Sequence, residues 1–275
     1  MFSASVIVST YNRLFALKLA LEGFRRQTCK NFEVIIADDG STDETKNFLR
    51  DNKDSYPFRL KHVWQEDNGY RKARILNIAI ANAESKLIIF NDGDCIPHNE
   101  FVGAHIDLIE KGNFLISRMV LLSEKISNKI DIDYVSRGKL DSFNLNIFLD
   151  YVFGDTKYFE YSLSIKNDFL YELIKKYRKN KSVFGSNFSA FKDDLIKING
   201  FNEDFTKWGS EDGELGIRLL NLGLKPKIAI CRAINFHYYH KRGYVMRTAE
   251  NVQRATLARE QKIIRCKNGV DQHLL

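Results

Sequence analysis

The chain has 275 residues, 44% of them hydrophobic and 28% charged, and a net charge of +7. This is a globular balance with length for one large domain or two small ones, and no apolar run reaches the ~18–20 residues of a membrane helix. The four cysteines, Cys29, Cys95, Cys231 and Cys266, form no C-x-x-C pair, which argues against a zinc site or a disulfide frame and for reduced cytosolic thiols. The basic excess suits an anionic ligand or an acidic membrane surface, but no zinc-finger spacing or RNA-recognition motif accompanies it, so nucleic acid is not an expected partner.

The N-terminus enters a strand, Ser5–Val8, with no leader-like segment before it. The strand ends at Ser9-Thr10-Tyr11-Asn12-Arg13, after which Leu14, Leu17, Leu21 and Phe24 recur at helical spacing. A second strand, Phe32–Ala37, ends in Asp38-Asp39-Gly40-Ser41-Thr42-Asp43. Ser41 or Thr42 is placed to cap the next helix, with Asp43 and Glu44 near its positive end. A third strand, Arg59–Trp64, ends at Glu66-Asp67-Asn68-Gly69-Tyr70, and a helix over Arg71–Ala83 follows. The fourth strand, Leu87–Phe90, runs into Asn91-Asp92-Gly93-Asp94.

This βαβαβαβ order predicts a parallel sheet with right-handed crossovers, whose ligands bind beyond the carboxyl ends of the strands. Each of those ends carries carboxylates, amides or a cation. Asp92 and Asp94, one residue apart at a strand end, repel each other unless a cation intervenes. Mg²⁺ or Mn²⁺ would accept one or two such carboxylates and leave positions for a diphosphate. Taken alone, D-x-D is more often a solvated acidic turn. The first turn, STYNR, lacks the G-x-G-x-x-G of dinucleotide folds, and no P-loop is present.

Pro97 is suited to the first turn of a helix through Phe101 and Ile109, and Asn113–Ser123 reads as one strand. The stretch Asn128–Tyr177 is aromatic and Lys-rich, with a helix expected at Asp168–Tyr177. Its aromatics suit a core, or alternatively an acceptor wall. Phe184–Phe191 alternates small and large residues like a strand near a ligand. A short helix over Asp194–Ile198 ends at Gly200 and Phe201. In Trp208-Gly209-Ser210-Glu211-Asp212-Gly213-Glu214, Ser210 is a natural N-cap, and the helix dipole would keep Glu211 and Asp212 ionised. The Trp-Gly pair before them suits a stacked sugar ring, although dipole compensation alone also explains the acids. Lys225–Ala229 reads as the last strand. His237 and His240 form an H-x-x-H set before Lys241-Arg242-Gly243, and neutral imidazole suits a metal such as Mn²⁺. Thr248–Lys267 reads as a basic helix, either solvated or lying on an anionic membrane.

In chain order, STYNR, QTCKNFEVIIADDGSTD, DNGYRKARILN, DGDCIP, FGSNFSAF, INGFNEDF, WGSEDGELGIRLL and FHYYH span roughly residues 5–240. This ordered set resembles the family 2 glycosyltransferases of GT-A fold, with a C-terminal half similar to the β-1,4-galactosyltransferase and chondroitin polymerase group. The resemblance implies a Rossmann-like α/β fold with a mixed, mainly parallel sheet flanked by helices. It implies one GT-A domain over 1–275, with a nucleotide-binding half (1–123), an acceptor and catalytic half (124–245) and a basic C-terminal helix (246–275). It also implies an inverting enzyme that takes a nucleotide-sugar, expected to be a UDP-sugar, with Mn²⁺ or Mg²⁺.

By the same resemblance, Thr10, Tyr11, Asn12 and Arg13 line the nucleotide pocket and Asp38 or Asp39 meets the base. Arg74 lies near the nucleotide or diphosphate, and Asp92 lies toward ribose and metal. Asp94 and His237 are metal ligands, Asp212 is the catalytic base, and Glu211 holds donor or acceptor hydroxyls. An inverting transfer needs such a base within reach of the acceptor hydroxyl. The chain has no Q-x-x-R-W motif and one set of donor motifs, so single transfers are expected, onto an oligosaccharide or lipid-linked acceptor in surface polysaccharide synthesis, in the cytoplasm and with peripheral membrane contact as an option. Two other readings compete: a sugar-phosphate nucleotidyltransferase of similar fold, and a non-catalytic nucleotide- or sugar-binding module. The first usually carries a Gly-rich basic loop after its first strand, which STYNRLFAL is not. The second has no need of Asp94, Asp212 and His237 together.

Overall fold

The computed structural model describes residues 2–177, 183, 185–241 and 248–274. Strand β1 (Ala4–Thr10) leads to helix α1 (Leu14–Arg25), β2 (Phe32–Asp38) to α2 (Asp43–Asn52), and β3 (Arg59–Trp64) to α3 (Lys72–Asn82). Next come β4 (Leu87–Asp92), β5 (Cys95–Pro97), α4 (Phe101–Leu108), β6 (Asn113–Ile116) and β7 (Val120–Leu121). A helical stretch holds α5 (Glu124–Ser127), α6 (Ile132–Ser136), α7 (Leu145–Phe153) and α8 (Asp168–Tyr177). The chain returns through β8 (Phe188–Phe191), α9 (Lys192–Lys197), α10 (Glu211–Asn221), β9 (Lys225–Ile228), β10 (Asn235–His237) and α11 (Ala249–Glu260).

Among the described residues, seven strands form one sheet in the order β3-β2-β1-β4-β8-β6-β9, and β5, β10 and β7 form a second. The first four strands of the large sheet are parallel. Strand β8 runs antiparallel between β4 and β6, and β9 is parallel to β6. Every residue of β2 is buried, Glu33 and Asp38 included, because helices cover both faces, and the rest of the strand is apolar. Alternate residues of β1 serve the two cores. Val6 and Val8 pack with Leu17, Leu21 and Phe24 of α1, whereas Ile7 packs with Ala73, Leu76 and Ile80 of α3.

Several local expectations are corrected. Pro97 does not open a helix. It ends β5 opposite Asn235, and the helix begins at Phe101, because a strand some 140 residues away supplies the extended backbone with a partner. The 113–123 stretch is two strands, since Ser117 turns away between them and its Oγ donates to the Ala233 carbonyl at 3.0 Å. Lys225–Ile228 is followed by one further strand, β10. The last long helix starts as expected, with Thr248 Oγ1 accepting from the Asn251 N–H. It stops at Glu260, and Lys262 then takes a left-handed φ of 50°. Thr42 occupies the cap position of α2 but makes no side-chain cap bond, and Ser41 Oγ accepts from the Asn12 N–H instead. The aromatics of the helical stretch divide. Phe159, Tyr161 and Tyr171 are buried, whereas Phe143, Phe153 and Phe169 are exposed. Phe184 and the Arg242-Gly243 pair lie outside the described residues.

Candidate functional site

The carboxyl ends of β1, β2 and β4 open into a cleft of about 1960 Å³, closed on the other side by the N-terminus of α10 and by residues after β6 and β10. Two turns are welded at its floor. Gly93 donates its N–H to the Ser9 carbonyl at 2.7 Å, and a Cβ there would meet that oxygen at 2.9 Å, so the approach of the β4 turn to β1 requires glycine. Asn12, at φ 49°, accepts from the Thr42 N–H through Oδ1 at 2.9 Å. Its side chain therefore ties the β1 turn to the β2 turn and does not line the cleft, whereas Thr10, Tyr11 and Arg13 do.

The two candidates for the base separate cleanly. Asp38 is fully buried, accepts from the Ser41 N–H at 2.8 Å and pairs with His62 at 3.0 Å. Asp39 faces the cleft and accepts from the Arg71 N–H at 3.0 Å and from the Gln65 amide. Burial raises the Asp39 carboxyl above its ordinary value, and the hydrogen bonds from Gln65 and Arg71 offset part of that rise. Arg74 does not line the cleft. It donates to Gln65 Oε1 at 2.7 Å and reaches Asp39 only through that amide. Tyr11, 48% exposed, donates its hydroxyl to Asp67 at 2.9 Å.

The D-x-D aspartates part company. Asp92 Oδ1 accepts from Ser9 Oγ at 2.6 Å and from Lys72 Nζ at 2.7 Å. Asp94 sits with two histidines, its Oδ2 being 3.3 Å from His240 Nε2 and 3.8 Å from His237 Nε2. One ligand atom from each of these three residues lies within 4.8 Å of the others, and Asp92 is not in the set. The small sheet creates this cluster. Strand β5 begins at the residue after Asp94, β10 pairs with it so that His237 lies opposite Cys95, and the Tyr238 N–H donates to the Asp94 carbonyl at 2.8 Å. Burial opposes ionisation of Asp94, but the hydrogen bond from His240 and the nearby His237 and Arg13 outweigh it and hold the carboxyl at about 2. Imidazole nitrogens with one carboxylate are a donor set that fits a Mn²⁺-like ion better than Ca²⁺ or a bare phosphate-bound Mg²⁺.

Across the cleft, Ser210 starts α10 with φ 75° and no side-chain cap bond, so it is not the cap its sequence position suggested. Glu211 accepts from the Gly209 N–H, just before the helix, at 2.9 Å, and its other oxygen accepts from the Tyr70 hydroxyl at 2.5 Å. Asp212 Oδ2 accepts from the Gly185 N–H at 2.8 Å, while its shielded Oδ1 has no hydrogen-bond partner among the described residues. The helix dipole was expected to keep Asp212 ionised. Burial wins instead, lifting its carboxyl to about 7 against the pull of Lys72 and with help from Glu211 and Asp92. Trp208, 43% exposed, stands beside these acids on the cleft wall.

Sequence reasoning passed over Lys72, Tyr70 and, as a site residue, His240. Burial opposes the charge on Lys72, but Asp92, then Asp212, keep its ammonium protonated well above the ordinary range. The signal was available: Lys72 opens α3, whose positive end repels a cation. His240 was visible in the H-x-x-H spacing, and its Nδ1 is 3.0 Å from Arg13 Nη2.

The chain belongs to glycosyl transferase family 2, whose family model matches residues 5–153; a second model, described as the N-terminal domain of galactosyltransferase, matches residues 170–241. It is 30% identical over 235 residues to validoxylamine A glucosyltransferase of Streptomyces hygroscopicus subsp. jinggangensis, covering 82% of this chain and 53% of that protein. It is 25% identical over 243 residues to the chondroitin synthase of Escherichia coli, covering 80% and 32%. The chain thus spans about half, or less, of the length of these curated relatives. Among solved structures, S. aureus TarS 1–349 in complex with UDP-GlcNAc has a TM-score of 0.63 at 16% identity, over 99% of this chain and 69% of that one. The mannosyltransferase PcManGT from Pyrobaculum calidifontis, in complex with GDP-Man and Mn²⁺, has a TM-score of 0.57 at 18% identity, over 88% and 58%. These likenesses bear on the fold, a mixed and mainly parallel α/β sheet flanked by helices. No described helix is long and apolar enough to cross a membrane.

Proposed function

We propose that this chain is an inverting, metal-dependent glycosyltransferase that moves one sugar from a UDP-sugar to a hydroxyl of a glycan or lipid-linked acceptor. The observation that carries this reading is the meeting, in one cleft, of the Asp94–His237–His240 cluster with a shielded carboxylate, Asp212, which lines the same space and has one oxygen without a hydrogen-bond partner among the described residues. Asp39 and Tyr11 hold the nucleoside end, and Asp92, fixed by Lys72 and Ser9, faces the ribose side.

Asp212 Oδ1 takes the proton of the acceptor hydroxyl as that oxygen bonds to the sugar's anomeric carbon and the bond to the diphosphate breaks, which inverts the centre. A carboxyl near 7 is well matched to accepting a proton at neutral pH. Glu211, clamped by Tyr70 and Gly209, accepts hydrogen bonds from sugar hydroxyls, and Trp208 covers the apolar face of the ring. Asp94, His237 and His240 would hold a divalent cation, which would supply positive charge near the leaving diphosphate.

The test is a thermal-shift and donor-hydrolysis panel of UDP-, GDP-, dTDP- and CMP-sugars with Mn²⁺, Mg²⁺ or EDTA. One UDP-sugar should stabilise the protein only with metal, and Asp94→Ala should remove that shift. Failure of every nucleotide-sugar with every metal would overturn the proposal.

A further inference from the structure

Tyr158 adopts φ 64° and ψ 35°, the left-handed region that bulky residues avoid. Neither glycine nor asparagine occupies the position, so the chain carries an unfavourable backbone to place an aromatic ring there. The neighbouring residue is clamped. Lys157 and Leu121 exchange both backbone hydrogen bonds, at 2.9 and 3.0 Å, and the Tyr161 N–H donates to the Tyr158 carbonyl at 3.0 Å. The Tyr158 ring, 47% exposed, stacks on the nearly buried Tyr161 ring at 5.7 Å and 24°. Both rings line the cleft that Asp212 and Trp208 also line.

Their place in the cleft follows from the sheets. Leu121 pairs with His237 through β7 and β10, so the clamp on Lys157 registers the tyrosines to the histidine cluster. The residues assigned to the nucleoside leave β1 and β2 of the large sheet, whereas the clamp on Lys157 hangs from β7 of the small one. A cleft of about 1960 Å³ also exceeds the roughly 300–1,000 Å³ of a site for one small ligand. A rigid aromatic pair, one face buried and the other open, is suited to the CH face of a sugar ring.

We infer that Tyr158, backed by Tyr161, is the platform of the acceptor subsite and stacks on a pyranose ring of an acceptor glycan. This rests on the transferase reading above. It is tested with the UDP-sugar identified there and methyl β-glycosides of glucose, galactose, N-acetylglucosamine and glucuronic acid as acceptor probes. Tyr158→Ala should raise the acceptor KM about tenfold, the loss of one aromatic contact, with little movement in the donor KM, and Tyr158→Phe should restore the wild-type value. Tyr158→Gly relieves the left-handed backbone and separates function from packing, so it should hold or raise Tm while losing acceptor affinity to the same degree. Saturation-transfer NMR with the same glycosides gives a readout independent of turnover, in which the ring protons of at least one should be saturated by wild type and not by Tyr158→Ala. Equal acceptor KM in all variants, donor and acceptor KM rising together, or no glycoside saturated by wild type would overturn the subsite. Absence of donor hydrolysis by wild type would instead overturn the transferase reading.

Discussion

Asp94 and Asp212 face one cleft, yet their surroundings drive them in opposite directions, one to about 2 and the other to about 7. In the proposed transfer, groups pushed apart in this way would divide the roles of permanent anion and proton acceptor. Transfer should rise about tenfold per pH unit up to neutrality and then level off. Lys72→Met, which removes the cation that favours the ionised form of Asp212, should move that midpoint to higher pH. The linkage to stability has a definite sign. The folded pKa of Asp212 lies above its unfolded value, so its contribution is fully present below about 4 and is lost as pH rises through about 7. Asp212→Asn should therefore raise Tm relative to wild type at pH 8 but not at pH 4, while lowering transfer by about 10²–10⁴. For the histidine cluster, His240→Ala should weaken Mn²⁺ binding about tenfold or more in calorimetric titration, whereas Asp92→Asn, which loses only contacts to Lys72 and Ser9, should stay near wild type.

At the scale of elements, α10 carries the acids and is anchored from inside. Arg218 is fully buried, pairs with Glu214 at 2.8 Å, and donates to the carbonyls of Ile198 and Gly200. Arg218→Ala leaves Glu214 as an uncompensated buried charge, at a cost of about 3–5 kcal/mol, and thermal denaturation should show a fall in Tm of roughly 10 °C. Gly185 tests positioning without that loss. A Cβ there would lie 2.6 Å from both Asp212 carboxylate oxygens, so Gly185→Ala should abolish transfer with a much smaller change in Tm. The long parallel strands were legible because burial on both faces imposes mostly apolar runs, as in FEVIIA. Strand β10 and the end of β5 were not, because three-residue strands exist only by pairing with strands distant in the chain. The cap of α10 was misread because it depends on backbone geometry. Ser210 has the right chemistry, but its left-handed φ of 75° departs from the extended conformation from which a cap side chain reaches the helix N–H groups.

Across the whole molecule, the candidate site is assembled from residues far apart in the chain. Thr10, Asp39, Asp92 and Asp94 were legible as a group because successive βα units deliver strand ends to one edge. Their division of labour was not, since Lys72, which claims Asp92, and His240, which joins Asp94, act through three-dimensional neighbours. The helical stretch between β7 and β8 stayed opaque because its aromatics answer to two environments, core and surface, with one composition.

The pairing of β10 with β5 has a kinetic consequence. The first four strands meet through short crossovers, whereas Asp94 and His237 meet only after the chain has closed a loop of some 140 residues. Contacts of such long range form late, because their closure entropy precedes any gain. In refolding from denaturant, far-UV ellipticity should therefore recover ahead of Mn²⁺ binding. A chain interrupted in synthesis before residue 235 would own the parallel sheet while lacking both histidines of the cluster.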